Sequence, residues 1–439
     1  MTMEYHEAIE WIGERTKFGI RPGLERMEWL MEKLGHPEQR IKSIHIAGTN
    51  GKGSTLSFLR NLLEVHHFTV GTFTSPYLIK FNERISVNGI PITDKEMVKL
   101  VEKIKPLCED LEKTKWGPPT EFEVITAMAF RFFADQSLDF VIWETGLGGR
   151  LDSTNIVQPI ATVITNIGLD HTHILGDTYK QIAAEKAGII KRDVPLISSV
   201  GQTEALKVIK EKAESMNAPI SQLGEDFTCI GNNQIHKEGE VFTFQSAPYS
   251  FPELMIQMRG KHQIQNAALA LQTFLTVCSG NSIQPDIALI RDGLKKTTWP
   301  GRFEVLVRKP PVIIDGAHNK EGVVSLIQTL QRFYPDHKKN LIFSMMKDKS
   351  LDAVMPLLDK NFEKIVFTSF SFERASEADH LYQWSQHPKK EYQFDWKEAI
   401  RQEIGRIDPA RELIIISGSL YFISKVRQHF EHFLKNMIK

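Results

Sequence analysis

The sequence contains few cysteines for its length: Cys108, Cys229 and Cys278 are the three among 439 residues. They are widely separated, odd in number and form no Cys-x-x-Cys pair. This pattern argues against a disulfide-stapled scaffold and against a thiolate zinc site, since both need paired or closely spaced cysteines. Isolated cysteines are typical of a reducing compartment, so we expect a cytoplasmic protein.

Long apolar segments and an excess of one charge are also missing. Lys and Arg together number 54 and Asp and Glu number 54, so the composition gives no support to non-specific nucleic-acid binding, which needs a basic surface. No run approaches the ~20 apolar residues of a membrane helix. Acidic side chains interrupt the apolar residues at the N-terminus, so no signal peptide is predicted. We therefore expect neither a nucleic acid nor a membrane as a partner.

Short apolar runs alternate with segments of helical periodicity, which is typical of βα units in a mostly parallel sheet. Strands are predicted over residues 44–47, 140–143 and 161–165, and a helix over residues 54–65. A Gly-rich turn, Glu144 and the region of Asn166 follow these three strands. Because ligands bind at the carboxyl ends of parallel strands, we expect the three turns to meet at one edge of the sheet.

The middle of the chain changes character. Residues 220–258 carry short strand-like pieces, several glycines and a hairpin-like Gly231-Asn232-Asn233, which predicts an antiparallel β appendage on the first domain. Residues 294–301 (LKKTTWPG) are the best linker candidate, because Pro300 and Gly301 interrupt regular structure.

A second α/β pattern follows this linker. Its predicted strands are residues 312–314, 341–344, 365–368 and 413–416. Because 439 residues are too many for one ordinary core, two domains are expected, residues 1–297 and 298–439. The first should be a P-loop-type domain with a mostly parallel sheet and the small β appendage. The second should be a smaller, Rossmann-like α/β domain.

One Gly-rich loop lies between a predicted strand and a predicted helix: Ala47-Gly48-Thr49-Asn50-Gly51-Lys52-Gly53-Ser54. Glycines let backbone N–H groups approach phosphate oxygens, the helix N-terminus adds positive potential, and Lys52 supplies a charge. The loop departs from the usual pattern, because Ile46 takes the place of the first glycine and Gly53 that of the Ser or Thr that holds Mg²⁺. The loop predicts an ATP phosphate site whose metal ligands come from elsewhere; a plain Gly-rich turn with an exposed lysine is the weaker alternative.

From this loop outward, the chain resembles the folylpolyglutamate synthase family, a branch of the Mur ligase superfamily that is bifunctional with dihydrofolate synthase in many bacteria. The matching motifs span nearly the whole chain in family order and are specific as a set. They are KFGIRPGLERM (17–27), AGTNGKGS (47–54), TSPYL (74–78), NERI (82–85), ETGLGGRLDSTN (144–155), the stretch 166–176, GKHQIQNAA (260–268), WPGRFE (299–304), DGAHN (315–319) and SGSLYF (417–422).

The resemblance implies two Mg²⁺ sites, and Mg²⁺ prefers oxygen ligands. Ser75 and Glu144 match Mg²⁺ ligands of the family, and Ser75 would supply the oxygen that Gly53 lacks. His171 matches a ligand of the second Mg²⁺, whereas His173 is expected to be a polar loop residue. The two histidines have no evident third soft ligand, so zinc is not expected. Without the resemblance, Ser75 would be a turn serine and Glu144 a solvated carboxylate.

The resemblance also implies a modified lysine. Lys186, in the stretch AAEKAG, matches a lysine that is commonly carbamylated by CO₂ in this superfamily. Carbamylation removes the positive charge and creates a carboxylate-like group that can help to hold the second metal. In the absence of the resemblance, such a lysine would be an ordinary surface residue.

The second domain is expected to complete the site. In the family, the residues that match Asn266, Arg302 and Asp315 face the nucleotide, and the residue that matches His318 fixes the nucleotide or the transferring phosphate. Arg302 suits a phosphate clamp, because a guanidinium binds phosphate oxygens in a fork. Singly, these residues could be a capping Asp, a turn His or a linker Arg. Together they predict a site that domain closure completes.

The implied reaction is ATP-dependent addition of L-glutamate to the γ-carboxylate of folate or its polyglutamates, through an acyl phosphate. Thr120, Phe122 and Asp152 resemble positions near the pterin site of bifunctional members, which leaves dihydropteroate open as a second acceptor. For the first two of them, the alternative is a helix N-terminal turn with a core Phe. A requirement for K⁺ and a monomeric state are further expectations from the family.

Two other functions remain alternatives. Another Mur-type ligase would share the phosphate loop and metal ligands, but the motifs at residues 17–27, 74–78 and 315–319 favour the folate branch. A P-loop NTPase that drives conformational change would need a Ser or Thr after Lys52 and an Asp at the end of a strand. Gly53 and Glu144 stand there instead, so the ligase is favoured.

Overall fold

The computed structural model describes residues 3–232, 236 and 238–437. Within these residues the strands form three sheets, of eight, three and six strands, with helices packed against them. This is the α/β class that the sequence predicts. No helix in the described ranges is long and apolar enough to cross a membrane.

The first sheet and its helices occupy residues 5–222. In chain order the elements are α1 (Tyr5–Gly13), α2 (Glu25–Lys33), β1 (Ser43–Ala47), α3 (Lys52–Val65), β2 (Val70–Phe73), β3 (Ile85–Val87), β4 (Ile90–Pro91), α4 (Asp94–Glu112), α5 (Glu121–Ala134), β5 (Phe140–Glu144), β6 (Pro159–Ile164), α6 (Thr172–Leu175), α7 (Tyr179–Lys186), β7 (Leu196–Ser198), α8 (Thr203–Ser215) and β8 (Ile220–Gln222).

The strand order in this sheet is β4-β3-β2-β5-β1-β6-β7-β8. The β2–β3 and β3–β4 pairings are antiparallel and the other pairings are parallel. Strand β1 is fully buried between β5 and β6, and Ile46 pairs with Glu144 on one side and with Val163 on the other. The three predicted strands are confirmed, and their carboxyl ends meet at one edge as expected.

Helix α3 begins at Lys52, two residues before its predicted start. Its N-cap is Gly51, whose φ of 85° lies in the left-handed region that glycine adopts without strain. The apolar side of α3 is buried, with Leu56, Phe58 and Leu59 fully inaccessible. This packing holds the start of the helix at the sheet edge.

The predicted β appendage is correct in part. Strands β9 (Thr228–Gly231), β10 (Glu240–Ser246) and β11 (Tyr249–Ile256) form the three-stranded antiparallel sheet. The start of the predicted region is wrong, because β8 pairs in parallel with β7 and belongs to the large sheet. A three-residue strand has no readable periodicity, and the crossover through α8 decides its pairing. In the predicted hairpin, Gly231 ends β9 and Asn233 lies outside the described residues.

The second large sheet follows two helices. The elements are α9 (Lys261–Gly280), α10 (Ile287–Lys296), β12 (Glu304–Arg308), β13 (Pro311–Asp315), α11 (Lys320–Phe333), β14 (Lys338–Phe343), α12 (Leu351–Asn361), β15 (Lys364–Ser369), α13 (Ala378–Trp384), β16 (Lys390–Asp395), α14 (Trp396–Arg406), β17 (Glu412–Ser417) and α15 (Leu420–Met437).

The strand order of this sheet is β12-β13-β17-β14-β15-β16, and only the β12–β13 pairing is antiparallel among the described strands. The four strands predicted here are confirmed as β13, β14, β15 and β17. The sequence missed β12 and β16, the two edge strands, which are less buried and less apolar than the central ones. Helix α10 runs to Lys296, so the first three residues of the predicted linker are helical and the connection to β12 begins at Thr297.

Candidate active site

A cavity of about 1370 Å³ is lined by residues of both large-sheet regions. Every residue that the sequence singled out as a site residue lines it: Gly48, Thr49, Asn50, Gly51, Lys52, Gly53, Ser54, Ser75, Thr120, Phe122, Glu144, Asp152, His171, Lys186, Asn266, Arg302, Asp315 and His318.

The Gly-rich loop between β1 and α3 is tied to the end of β6. The N–H of Thr49 donates to the Asn166 carbonyl at 3.0 Å, and the N–H of Asn50 donates to Asn166 Oδ1 at 2.8 Å. Lys52 folds back over the loop, and its ammonium donates to the Gly48 carbonyl at 3.0 Å. The loop therefore presents a helix N-terminus and a lysine at one point of the cavity wall, which suits a polyphosphate.

Gly53, which stands where other phosphate loops carry Ser or Thr, is required by packing. A Cβ at Gly53 would lie 2.8 Å from the indole nitrogen of Trp299 and 3.0 Å from its Cζ2. Trp299 belongs to the connection between α10 and β12, so the second sheet's connection leaves no room for a side chain. This contact explains the departure from the usual loop, which the sequence showed but did not account for.

Replacing Gly53 with alanine is expected to cost about 1–3 kcal/mol of unfolding free energy, because the Cβ overpacks the Trp299 ring. ATP affinity should fall too, since the displaced ring lies against the loop. Urea denaturation and an ATP titration measure the two effects. Gly280→Ala is the matched control, because a Cβ there meets nothing within 4 Å. Equal stability of Gly53→Ala and wild type would contradict this packing argument.

Glu144 and Ser75 lie together at the ends of β5 and of the loop after β2. The N–H of Ser75 donates to Glu144 Oε2 at 3.2 Å, and the Glu144 side chain is buried. Burial raises the pKa of Glu144, while the charges of Lys52 and Arg302 lower it. A buried carboxylate beside a hydroxyl and facing cations suits a hard metal ion.

His171 has a partner that the sequence did not indicate. Lys349, from the loop after β14, donates to Asp170 Oδ1 at 2.6 Å and lies 3.2 Å from His171 Nε2. His318 Nε2 is 3.4 Å from Asp170 Oδ2. Burial and the charge of Lys349 lower the pKa of His171 to about 4, so its ring is neutral at pH 7. A neutral imidazole has the lone pair that a metal ligand needs.

Asp170 is the centre of this cluster. Burial alone would raise its pKa, but the hydrogen bond from His318 and the charge of Lys349 lower the pKa of Asp170 well below the usual range. Asp170 therefore stays ionised and joins the two large-sheet regions by ion pairs. His173 is exposed, as expected, but it lies in the short helix α6 and not in a loop.

A second bridge joins the same regions. The side-chain amides of Asn50 and Asn319 exchange two hydrogen bonds of 3.1 Å, and Asn319 also donates to Asp170 at 3.2 Å. Asn319 Oδ1 caps α11 by accepting from the N–H of Gly322. The phosphate loop is thus in direct contact with the helix that follows β13.

Lys186, at the end of α7, is buried, with 3% of its surface exposed. Burial and the nearby charge of Lys52 lower its pKa to about 7. A large part of this amine is therefore unprotonated at neutral pH, and only an unprotonated amine can react with an electrophile such as CO₂.

Arg302 lies just before β12, and Asp315 is the last residue of β13. The Asp315 carboxylate accepts from the N–H groups of Phe303 and Ala317, both at 2.8 Å. Burial raises the pKa of Asp315, and the Arg302 charge opposes this. His318 Nδ1 lies 2.8 Å from the Gly316 carbonyl, which fixes the ring.

Asn266 approaches the phosphate loop from α9. A Cβ at Gly51 would lie 2.4 Å from Asn266 Oδ1, and Asn266 Nδ2 donates to Gln263 at 3.0 Å. The amide therefore lies against the loop at the N-terminus of α3.

The predicted pterin-site residues line one part of the cavity wall. The Thr120 hydroxyl forms a capping box with Glu123, which Arg26 holds with hydrogen bonds of 2.8 and 3.0 Å. The helix-turn alternative therefore accounts for the hydroxyl of Thr120. The ring of Phe122 packs against Gly146, where a Cβ would lie 2.5 Å from the ring.

Asp152 is buried on the same wall, beside Leu147 and Thr154. It accepts from the N–H of Leu147 at 2.8 Å and from the N–H of Thr154 at 3.0 Å. Burial raises its pKa, and these hydrogen bonds oppose the shift.

Sequence reasoning missed Asp170, Lys349 and Asn319 as site residues. Asp170 and Asn319 stand beside predicted residues, so their motifs carried a signal. Lys349 lies in the segment MMKDKS, which matches no motif, and only the fold brings it to Asp170.

The described residues contain no group of three or more His, Cys, Asp or Glu side chains that could hold a metal by themselves. Proteins hold Mg²⁺ by one or two carboxylates together with substrate phosphates and water. Glu144, with the N–H of Ser75 at 3.2 Å, is a buried carboxylate of the cavity wall.

A phosphate loop that carries a lysine, a buried carboxylate beside it and a second α/β unit contacting the loop are the features of a Mur-type ATP-dependent ligase. Two family models match accordingly: the Mur ligase middle domain over residues 46–274, and the Mur ligase glutamate ligase domain over residues 301–420.

Comparison with full-length relatives identifies the family within this class of ligases. The chain is 46% identical to the dihydrofolate synthase/folylpolyglutamate synthase of Bacillus subtilis, over 98% of this chain and 100% of the relative. It is 31% identical to the folylpolyglutamate synthase of Lacticaseibacillus casei, over 97% and 98%. The structure of the Mycobacterium tuberculosis folylpolyglutamate synthase with ADP and AMPPCP superposes with a TM-score of 0.90 at 30% identity, covering 97% of this chain and 99% of that one. The chain belongs to the folylpolyglutamate synthase/dihydrofolate synthase family.

Proposed function

We propose that this protein is an ATP-dependent ligase that adds L-glutamate to the γ-carboxylate of folate or folylpolyglutamates. The observation that carries the proposal is the meeting, in one cavity, of the phosphate loop, Glu144, Lys186 and His318 from the second sheet. Both large-sheet regions contribute phosphate-binding and carboxylate groups to this cavity, and such a site suits transfer of a phosphoryl group to an acid. A solved folylpolyglutamate synthase (FPGS)–AMPPCP–folate complex superposes on this chain with a TM-score of 0.84 at 30% identity. This similarity supports ATP and folate as substrates.

The chemistry proceeds in two displacements. The folate γ-carboxylate attacks the γ-phosphorus of ATP, giving an acyl phosphate and ADP; the amine of glutamate then attacks the acyl carbon, and phosphate leaves. Lys52 and Arg302 offset the negative charge that the two anionic substrates bring together. His318, held by Gly316 and Asp170, fixes the position of the nucleotide or of the transferring phosphate. Because both reacting groups come from substrates, the protein contributes position and charge.

Mg²⁺ fits this site. Ser75 and Glu144 would hold one ion, and His171 with a carbamylated Lys186 would hold a second. When bound, the ions neutralise phosphate charge. The lowered pKa of Lys186 favours the unprotonated amine that carbamylation requires. K⁺ as a further cofactor, a monomeric state and a cytoplasmic location complete the proposal.

Dihydropteroate is proposed as a second acceptor. Phe122 and Asp152 would hold its pterin ring, the first by contact and the second by accepting N–H groups. The Bacillus subtilis relative is named for both activities. A ligase for other acids, or an NTPase without an acceptor, are the competing functions.

Release of ADP distinguishes these functions. The purified protein is incubated with Mg·ATP and bicarbonate, with tetrahydrofolate and glutamate, with dihydropteroate and glutamate, or with no acceptor. We expect ADP with both acceptors and a product heavier by one glutamyl residue in mass spectrometry. ADP at the same rate in all three mixtures would identify an NTPase. No turnover with either acceptor would exclude the folate ligase.

A further inference from the structure

A buried chain of hydrogen bonds runs from the cavity wall to the centre of the large sheet. The Thr154 hydroxyl lies 2.5 Å from Asp152 Oδ1 and 2.8 Å from His45 Nε2. Asp152 lines the cavity, whereas Thr154 and His45 are fully buried, and His45 stands in the middle of β1. We call these three residues the Asp152 chain.

The direction of each hydrogen bond in the Asp152 chain follows from the number of protons. Both carboxylate oxygens of Asp152 already accept backbone N–H groups, so the carboxylate acts as an acceptor. The Thr154 hydroxyl has one proton and donates it to Asp152. His45 must then donate from Nε2 to the Thr154 oxygen, which fixes the ring in its Nε2–H form.

A histidine at position 45 of this chain costs folding free energy. In the sheet it lies between Trp143 of β5 and Thr162 of β6, and its Nδ1 has no hydrogen-bond partner within the described ranges. An unpaired buried nitrogen costs free energy that an aliphatic side chain would not. Burial and the charge of Lys191 lower the pKa of His45 to about 3, so the ring is a neutral donor. A buried polar residue whose one partner leads to the cavity points to a role there.

We propose that His45 is a positioning residue for the acceptor substrate: through the Thr154 hydroxyl it fixes the Asp152 carboxylate at the cavity wall. This inference rests on the proposed function, in which Asp152 accepts N–H groups of a pterin. A carboxylate held by two backbone N–H groups and one hydroxyl cannot rotate, so it meets an N–H group of the acceptor without first losing freedom. His45 itself does not touch the acceptor.

The test uses pairs of substitutions in the full chain. Thr154→Val removes the hydroxyl at constant shape, and Thr154→Ser keeps it. His45→Leu removes the donor, and His45→Gln returns an N–H near the position of Nε2. Thr273→Val is the matched control, because Thr273 is a buried threonine of α9 whose hydroxyl donates to the Leu269 carbonyl.

Thr154→Val is expected to raise KM for dihydropteroate about tenfold, the effect of a lost hydrogen bond to a charged group. His45→Leu should raise KM in the same direction, because the Thr154 hydroxyl then loses the donor that orients it. KM for ATP should stay within about twofold of wild type, and Thr154→Ser and His45→Gln should recover most of the acceptor affinity. The double variant His45→Leu/Thr154→Val should match Thr154→Val alone, because His45 acts through Thr154. Fluorescence titration with dihydropteroate should rank the variants in the same order of acceptor affinity, in the absence of turnover.

Three outcomes would overturn the inference: acceptor KM unchanged in Thr154→Val, KM for ATP and acceptor raised equally, or additive effects in the double variant. If His45→Leu does not fold, the comparison of Thr154→Val with Thr154→Ser still tests the inference. Failure of the proposed function is seen separately, because wild type would then show no dependence on dihydropteroate or tetrahydrofolate.

Discussion

Replacing Glu144 with glutamine is expected to lower kcat at least about 100-fold, because the amide cannot offer the charged oxygens that would hold Mg²⁺ beside the phosphate loop. The shape of the side chain hardly changes, so a decrease in kcat would result from the loss of the negative charge. Coupled assay of ADP release with tetrahydrofolate and glutamate, at several Mg²⁺ concentrations, measures it.

The same substitution should raise thermal stability without nucleotide and metal. The pKa of Glu144 is raised in the folded protein, so the folded state binds the proton more tightly than the unfolded chain. By linkage, ionisation of this group reduces stability as pH rises from the unfolded pKa through the folded one, and the full penalty is present above it. Glutamine removes this penalty, so melting at pH 7 should occur at a higher temperature, with no further rise on adding Mg·ATP.

Glu403→Gln is the matched control for a buried carboxylate. Glu403 pairs with Lys364 at 2.8 Å in the second sheet, outside the cavity. Its loss should lower the melting temperature and leave kcat close to wild type, because the pair is broken far from the substrates. Full activity of Glu144→Gln at saturating Mg²⁺ would refute the metal-ligand role of Glu144.

Replacing Lys186 with alanine is expected to lower kcat about 100-fold or more, because it removes both the buried amine and the carboxylate that CO₂ would make of it. If the carbamate is the active form, a small carboxylic acid such as acetate should restore part of the activity of Lys186→Ala. Lys180→Ala, on the exposed side of the same helix, should act like wild type and should not respond to acetate. Restoration by chloride as well as by acetate would argue against the carbamate.

The pH dependence of wild type follows from the same lysine. Its pKa is lowered to about 7, so the unprotonated fraction rises as pH increases through 7. At constant dissolved CO₂, carbamate content and kcat should therefore increase over this interval and then level off. Mass spectrometry after trapping of the carbamate follows the modification directly. A flat profile between about pH 6 and pH 8, at constant dissolved CO₂, would exclude this titration.

Much of the site was predictable because its signals are local. The strand before Ala47, the glycines of the loop and the helix after Lys52 are neighbours in sequence, and each has a residue pattern set by burial and backbone geometry. Glu144 could be placed at the same edge, since parallel strands align their carboxyl ends. The α/β class of both sheets followed from the same alternation of apolar runs and helical segments.

Other features depend on residues that are distant in sequence. The pairing of β8 with β7 and the partnership of Lys349 with Asp170 arise only when elements pack together, and neither leaves a pattern in its own segment. The glycine at residue 53 was visible in the sequence, but its cause, the Trp299 ring, came only from the tertiary structure. The sequence by itself determined the buried central strands of both sheets and the Gly-rich turn after β1, because backbone conformation and burial follow local patterns there. The tertiary structure alone decided which side chains form ion pairs and which pack against each other. The energies of both interactions depend on distances that the order of residues in the chain does not set.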